Sequence, residues 1–87
     1  MVGDHIFKAL SDKNRRKIIE LLQTKEMTAG DIASNFELSK PTISEHLKVL
    51  KKADIIYSEK EGNFVKYYLN TTVFHEVVSF FMNIIKK

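Results

Sequence analysis

The spacing of apolar residues changes twice along this chain, and few folds accommodate that order. Up to about Ala53 the apolar positions recur at helical spacing: Ile6, Phe7 and Leu10, then Ile18, Ile19, Leu21 and Leu22, then Ile32, Ala33 and Phe36, then Ile43, Leu47 and Leu50. From Ile55 to Lys60 and from Phe64 to Leu69 the period falls to two, and β-branched and aromatic residues dominate. Glu61-Gly62-Asn63 lies between these runs, and Gly and Asn tolerate positive φ, so an antiparallel hairpin is expected. After it the helical pattern returns and reaches Lys86.

Local signals divide the helical part. Asp4 is a plausible cap for a first helix over residues 4–10. Ser11 or Asp12 caps a second over 12–24, whose start carries Lys13, Arg15, Arg16 and Lys17. Cations there oppose the helix dipole, which leaves an anionic partner and a solvated face as alternatives. Thr28 with Asp31 three residues on is a capping-box variant opening a third helix. Glu37-Leu38-Ser39 interrupts the pattern, and a fourth helix starts at Ser39 or Lys40 with Pro41 in its first turn. Asn70, Thr71 or Thr72 caps the last helix.

The fold class expected is α+β, mostly α. Two helices of about seven and thirteen residues joined by a short turn have the shape of a helix-turn-helix. With the hairpin and closing helix behind them, the order is that of a winged helix-turn-helix. At 87 residues the chain is read as a single domain, 1–87. A chain this short buries only about 60–65% of its unfolded surface, so its core alone is marginal. It has no Cys, which removes disulfide staples and thiolate metal sites. A metal or a second subunit is the usual remaining support. Met1-Val2-Gly3-Asp4 carries no signal-peptide pattern and no Gly at position 2 for myristoylation, and residues 73–85 are too short and polar to span a bilayer. The expected location is cytoplasmic.

A net charge of +3 permits a nucleic-acid partner without demanding one. The charge is uneven, however. Between residues 40 and 52 the cations Lys40, Lys48, Lys51 and Lys52 face one acid, Glu45. With Ile43, Leu47 and Leu50 inward, a rotation of about 100° per residue puts Pro41, Glu45, Lys48 and Lys52 opposite the core. Thr42 and Ser44 fall on the flanks and His46 nearer the core edge. Lys40 suits guanine O6/N7, Glu45 suits cytosine N4, and the Thr42 methyl suits a thymine methyl. Lys48, Lys51 and Lys52 suit phosphates. On the hairpin, Lys60, Asn63 and Lys66 could reach flanking backbone or minor groove, an effect weakened by Glu59 and Glu61.

The last helix is apolar nearly all round: Val73, Phe74, Val77, Val78, Phe80, Phe81, Met82, Ile84 and Ile85. A helix packing on one small core needs only a stripe. Val77, Phe81 and Ile84 are expected to face the chain's own core, leaving Phe74, Val78 and Ile85 exposed in a monomer. A two-fold dimer covers such a patch, with Phe7 from the first helix contributing. A wider core with the hairpin covering both sides is the alternative.

Three segments then resemble a known family. Residues 9–22, Ala-Leu-Ser-Asp-Lys-Asn-Arg-Arg-Lys-Ile-Ile-Glu-Leu-Leu, resemble the opening signature of the ArsR/SmtB winged-helix repressors. Residues 27–33 and 38–50 resemble their helix-turn-helix, and residues 62–69 their wing. Asp31, Ser39-Lys40-Pro41 and Asn70-Thr71-Thr72 are most similar to the SdpR-like autorepressor subgroup. The resemblance implies a homodimeric repressor on a palindromic double-stranded DNA operator. It implies base contacts at Lys40, Thr42, Ser44, Glu45 and His46, and dimer contacts through the first and last helices, here Phe7, Phe74, Val78, Phe81 and Ile85. In that subgroup a membrane protein sequesters the repressor, but this sequence shows no motif for it.

The departures concern sensing. Thr28 and Gly30 stand where many members carry a metal-binding Cys pair, and neither binds a soft metal. His75 and Glu76 are adjacent on the last helix, so they diverge and cannot share an ion. Neither metal nor cofactor is expected. Lys13 and Asn14 replace the usual Pro-Thr. An enzyme is not expected, since there is no Cys nucleophile, Gly-rich phosphate loop or His–carboxylate pair. The rival reading is a winged-helix protein-interaction module without DNA binding, motivated by Glu45, Glu59 and Glu61.

Overall fold

The computed structural model describes residues 3–86; Met1, Val2 and Lys87, part of the 1–87 domain reading, lie outside the described residues. The order is α1 (Asp4–Leu10), α2 (Lys13–Thr24), β1 (Met27–Thr28), α3 (Ala29–Ala33), α4 (Lys40–Lys52), β2 (Ile56–Glu61), β3 (Phe64–Leu69) and α5 (Thr71–Ile85). The winged helix-turn-helix expected from the pattern is the fold observed, with one addition. Met27 and Thr28 pair antiparallel with Tyr67 and Lys66, so the hairpin becomes a three-stranded sheet ordered β1-β3-β2. This third strand is too short to carry a period, so hydrophobic alternation could not reveal it.

Caps explain most of the boundaries. Asp12 accepts hydrogen bonds from the backbone N–H of Asn14 and Arg15 and so opens α2. Partial desolvation pushes its carboxyl up, but those N–H donors and the nearby His46 and Arg15 outweigh it and hold it below its ordinary value. Thr28 and Asp31 form both bonds of the capping box, each satisfying an orphan donor at the start of α3. That helix ends at Ala33 and is shorter than expected. Two expected caps are absent. Gly3, not Asp4, is the α1 cap, with no side-chain bond. Asn70 precedes α5 but sends its amide nitrogen to the Asp54 carbonyl, 2.9 Å away, and leaves α5 without a side-chain cap.

The end of α4 is a Schellman turn. Ile55 N–H donates to Leu50 O at 3.1 Å and Asp54 N–H to Lys51 O at 3.0 Å. Asp54 carries φ of 58°, a left-handed conformation usually given to Gly. Leu50 and Ile55 are both fully buried and pack the turn from within. The chain then enters β2 at Ile56, and Gly62, at φ 62°, turns it back with Asn63.

The core is formed by Ile18, Ile32, Ile43, Leu50, Ile55 and Ile56, with Ala9, Leu22, Leu47 and Val73 around them. It joins α1–α4 to the base of the sheet. Of α5 only Val73 is fully buried, while Phe74 and Val77 are half-buried against the core. Val78, Phe80, Phe81, Met82, Ile84 and Ile85 are exposed, Ile85 at 72%. The expected orientation of this helix is therefore corrected. Phe74 packs inward, and Phe81 and Ile84 do not reach the core. The hairpin does not cover this face either.

Candidate nucleic-acid interface

The positive cluster at the start of α2 has a structural role that neither expectation anticipated. Arg15 Nε donates to Ala9 O at 2.8 Å and Arg15 Nη2 to Lys8 O at 2.9 Å, while Arg16 Nη1 donates to Leu10 O at 2.8 Å. These are carbonyls of the last turn of α1, at the negative pole of its dipole, and that of Lys8 also accepts from Ser11. Lys17 turns the other way, donating to Asn35 O at 2.8 Å with its ammonium 4.6 Å from the Phe36 ring centre. The arginines thus set α1 against α2, and the lysine ties α2 to the loop after α3.

That scaffold holds α4. Ser39 caps it, accepting from Thr42 N–H at 3.3 Å, and the Ser39 and Thr42 hydroxyls share a second bond of 2.8 Å. One bond of the Thr42 hydroxyl is thereby directed at Ser39, and its methyl makes none. Ile43, Leu47 and Leu50 fix the inner face. Lys40, Thr42, Ser44, Glu45 and Lys48 are exposed, as the helical rotation requires. His46 is half-buried, and its Nδ1 lies 3.3 Å from Arg15 Nη1. Glu45 and Lys48 approach to 3.8 Å as an exposed pair. Such a pair is worth little in water and separates readily when either group meets a better partner. Lys51, assigned to phosphates from the sequence, donates to Ser58 Oγ at 2.8 Å and so braces the hairpin. A groove of about 300 Å³ runs between α4 and the sheet, lined by Ala29, Ser44, Leu47, Lys48, Lys51 and Tyr67.

On the hairpin, Lys60 and Asn63 are exposed near the tip. Lys66 is half-buried and 3.5 Å from Glu61, which also accepts from the Tyr68 hydroxyl. The Tyr68 bond, then Lys66, hold the Glu61 carboxyl below its ordinary value, and the same bond pushes the Tyr68 phenol up to about 12. Tyr68 and Tyr57 stack with ring centres 5.2 Å apart. Two of the acids that counted against nucleic acid, Glu45 and Glu61, are thus each paired with a lysine.

The predicted dimer residues separate into two groups. Phe7 meets Phe80 and Phe81 edge-on, with ring centres 6.0 and 6.4 Å apart, so α1 and α5 share an aromatic cluster. Val78, Phe81 and Ile85 lie open on α5, whereas Phe74 is half-buried. Among the described residues no three of His, Asp and Glu are placed to hold a metal ion, and no helix is long and apolar enough to cross a membrane.

A polar helix face set on a helix-turn-helix and flanked by a β-wing defines a winged helix-turn-helix regulator. The description "Bacterial regulatory protein, arsR family" matches residues 12–58. The transcriptional repressor SdpR of Bacillus subtilis is 49% identical over 84 residues, covering 97% of this chain and 93% of that protein. The crystal structure of an ArsR family transcriptional regulator has the same fold, with a TM-score of 0.88 at 23% identity over 95% of this chain and 86% of its own. The homodimeric winged helix-turn-helix DNA-binding domain of a Mycobacterium bovis protein follows at a TM-score of 0.74 and 26% identity, over 86% and 75% of the two chains. The chain belongs to the ArsR family of bacterial transcriptional regulators.

Proposed function

We propose that this chain is a homodimeric transcriptional repressor that binds a two-fold symmetric DNA operator through the major groove. The observation that carries this reading is the exposed polar start of α4, where Lys40, Thr42, Ser44 and Glu45 stand clear of a core fixed by Ile43 and Leu47. Short side chains allow close approach to base edges. Lys40 reads guanine, Glu45 accepts from cytosine N4, and the Thr42 methyl meets a thymine methyl. Ser44 and His46 complete the base-reading set. Lys48 neutralises phosphate after leaving Glu45. Lys60, Asn63 and Lys66 hold the flanking backbone, with Lys66 the weakest because Glu61 already engages it. The dimer forms on the open face of α5, through Val78, Phe81 and Ile85 with Phe7 beside them, and Phe74 supports it from below.

Relatedness to the repressor SdpR supports repression over activation, and autorepression is its simplest form. The work place is then the cytoplasm.

The test is a titration of wild type, Lys48→Ala and Ser44→Ala against duplexes selected by the protein from its own genome. Losing Lys48 from both protomers should weaken binding to every sequence and flatten the plot of log affinity against log salt by about 1.8, about 0.9 for each phosphate contact. Losing Ser44 should mainly reduce discrimination between selected and random duplexes, with the salt slope kept. Equal salt slopes for wild type and Lys48→Ala would refute the placement of α4 on the phosphates.

A further inference from the structure

Among the described residues, Arg15 is the one side chain that bonds both to α1 and to α4. Two of its nitrogens end on the carbonyls of Lys8 and Ala9, and the third meets Nδ1 of His46. Phe7, one residue before Lys8, is in contact with the aromatic cluster of α5. The chain of contacts therefore runs from the dimer face through the end of α1 and Arg15 to the middle of α4. A guanidinium has only donors, so this contact is a hydrogen bond in the tautomer whose Nδ1 accepts and whose ring proton is on Nε2. Asp12, whose carboxylate also lies near Arg15 and His46, balances the charge from the start of α2.

We propose that Arg15 is a positioning residue for operator binding, fixing the angle of α4 to the α1–α5 dimer element and the tautomer of His46 without touching DNA itself. The reasoning is geometric. A two-fold dimer must present its two recognition helices about one helical turn of DNA apart. From within, α4 is held by apolar packing, with Ile43, Leu47 and Leu50 buried and Val49 half-buried, and apolar packing sets depth better than rotation. A planar fork bonded on both sides supplies the missing orientation, which the flexible ammonium of a lysine cannot reproduce. This inference rests on the operator reading above.

The experiment is a double-mutant cycle with Arg15→Gln, Arg15→Lys and His46→Ala on the full chain, using a duplex selected by the wild-type protein. Arg15→Gln should weaken operator binding by about tenfold, and in the His46→Ala background its effect should shrink to about threefold or less. The salt slope should stay at the wild-type value, because no phosphate contact is lost. Arg15→Lys keeps the charge and protects against a folding failure in Arg15→Gln; it should be weakened nearly as much. Nitrogen chemical shifts of His46 should report a single Nε2–H tautomer in the wild type and a mixture in both Arg15 variants. A salt slope reduced along with affinity would make Arg15 a phosphate contact and overturn the proposal. Additive effects of Arg15→Gln and His46→Ala, or an unchanged His46 tautomer, would do the same. If the wild type itself discriminated no duplex, the operator reading would fall first.

Discussion

Single residues in this molecule often serve an element other than their own. Asp54 is the clearest conformational case. Its left-handed backbone completes the Schellman turn after α4, and Asn70 grips its carbonyl. An L-residue there costs about 1–2 kcal/mol, part of which glycine returns as extra freedom of the unfolded chain. Asp54→Gly should therefore stabilise the protein by about 0.5–1 kcal/mol in urea unfolding. Titration gives two further residue-scale expectations. Asp12 is held below its ordinary value, so its contribution is present above the unfolded carboxylate pKa and disappears as pH falls through the folded one. Unfolding midpoints should drop on acidification below about pH 4, and Asp12→Asn, itself a competent cap, should flatten that drop. Tyr68 should ionise near pH 12 by phenolate absorbance. Glu61→Gln removes the charged acceptor and should bring that midpoint back toward about 10.

Elements show what a sequence can and cannot disclose. The helices of the helix-turn-helix and the hairpin were readable because each has a period, a cap or a turn residue of its own. Pro41, Ser39 and Gly62 marked ends that the structure places within a residue or so. The strand of Met27 and Thr28 was invisible, being two residues long and defined only by its partner Tyr67-Lys66. The orientation of α5 was misjudged for the opposite reason. A helix apolar nearly all round has no preferred direction, so its pattern cannot tell that Phe74 packs inward while Phe81 and Ile84 stay off the core. Of the candidate interface, the outward row of α4 followed from helical rotation, but the duty of Arg15 and Arg16 on the α1 carbonyls needs the packed structure to be seen. The capping box of α3 invites a direct check. Thr28→Ala should cost about 1 kcal/mol in the same unfolding measurement, because the Asp31 N–H loses the hydroxyl that accepts from it.

At the scale of the whole molecule, the dimensions are 48 × 26 × 20 Å, an elongated shape for so short a chain. The core occupies the helix–sheet junction, and most of α5 adds apolar surface that no described residue buries. In the proposed dimer a second copy turns that surface into an interior, and the two sets of lysines on α4 then act on one duplex. Val78→Asp should raise the dimer dissociation constant by about tenfold or more in sedimentation velocity, with the far-UV circular dichroism of each chain preserved. It should also weaken operator binding, since one recognition helix alone spans only a half-site.

The most direct test of the account is the mass and symmetry of the complex on a selected genomic duplex, read by sedimentation equilibrium together with footprinting. Two chains per duplex, protecting two half-sites related by two-fold symmetry about one DNA turn apart, is the predicted result. One chain per duplex, or protection without symmetry and without preference over random DNA, would contradict it.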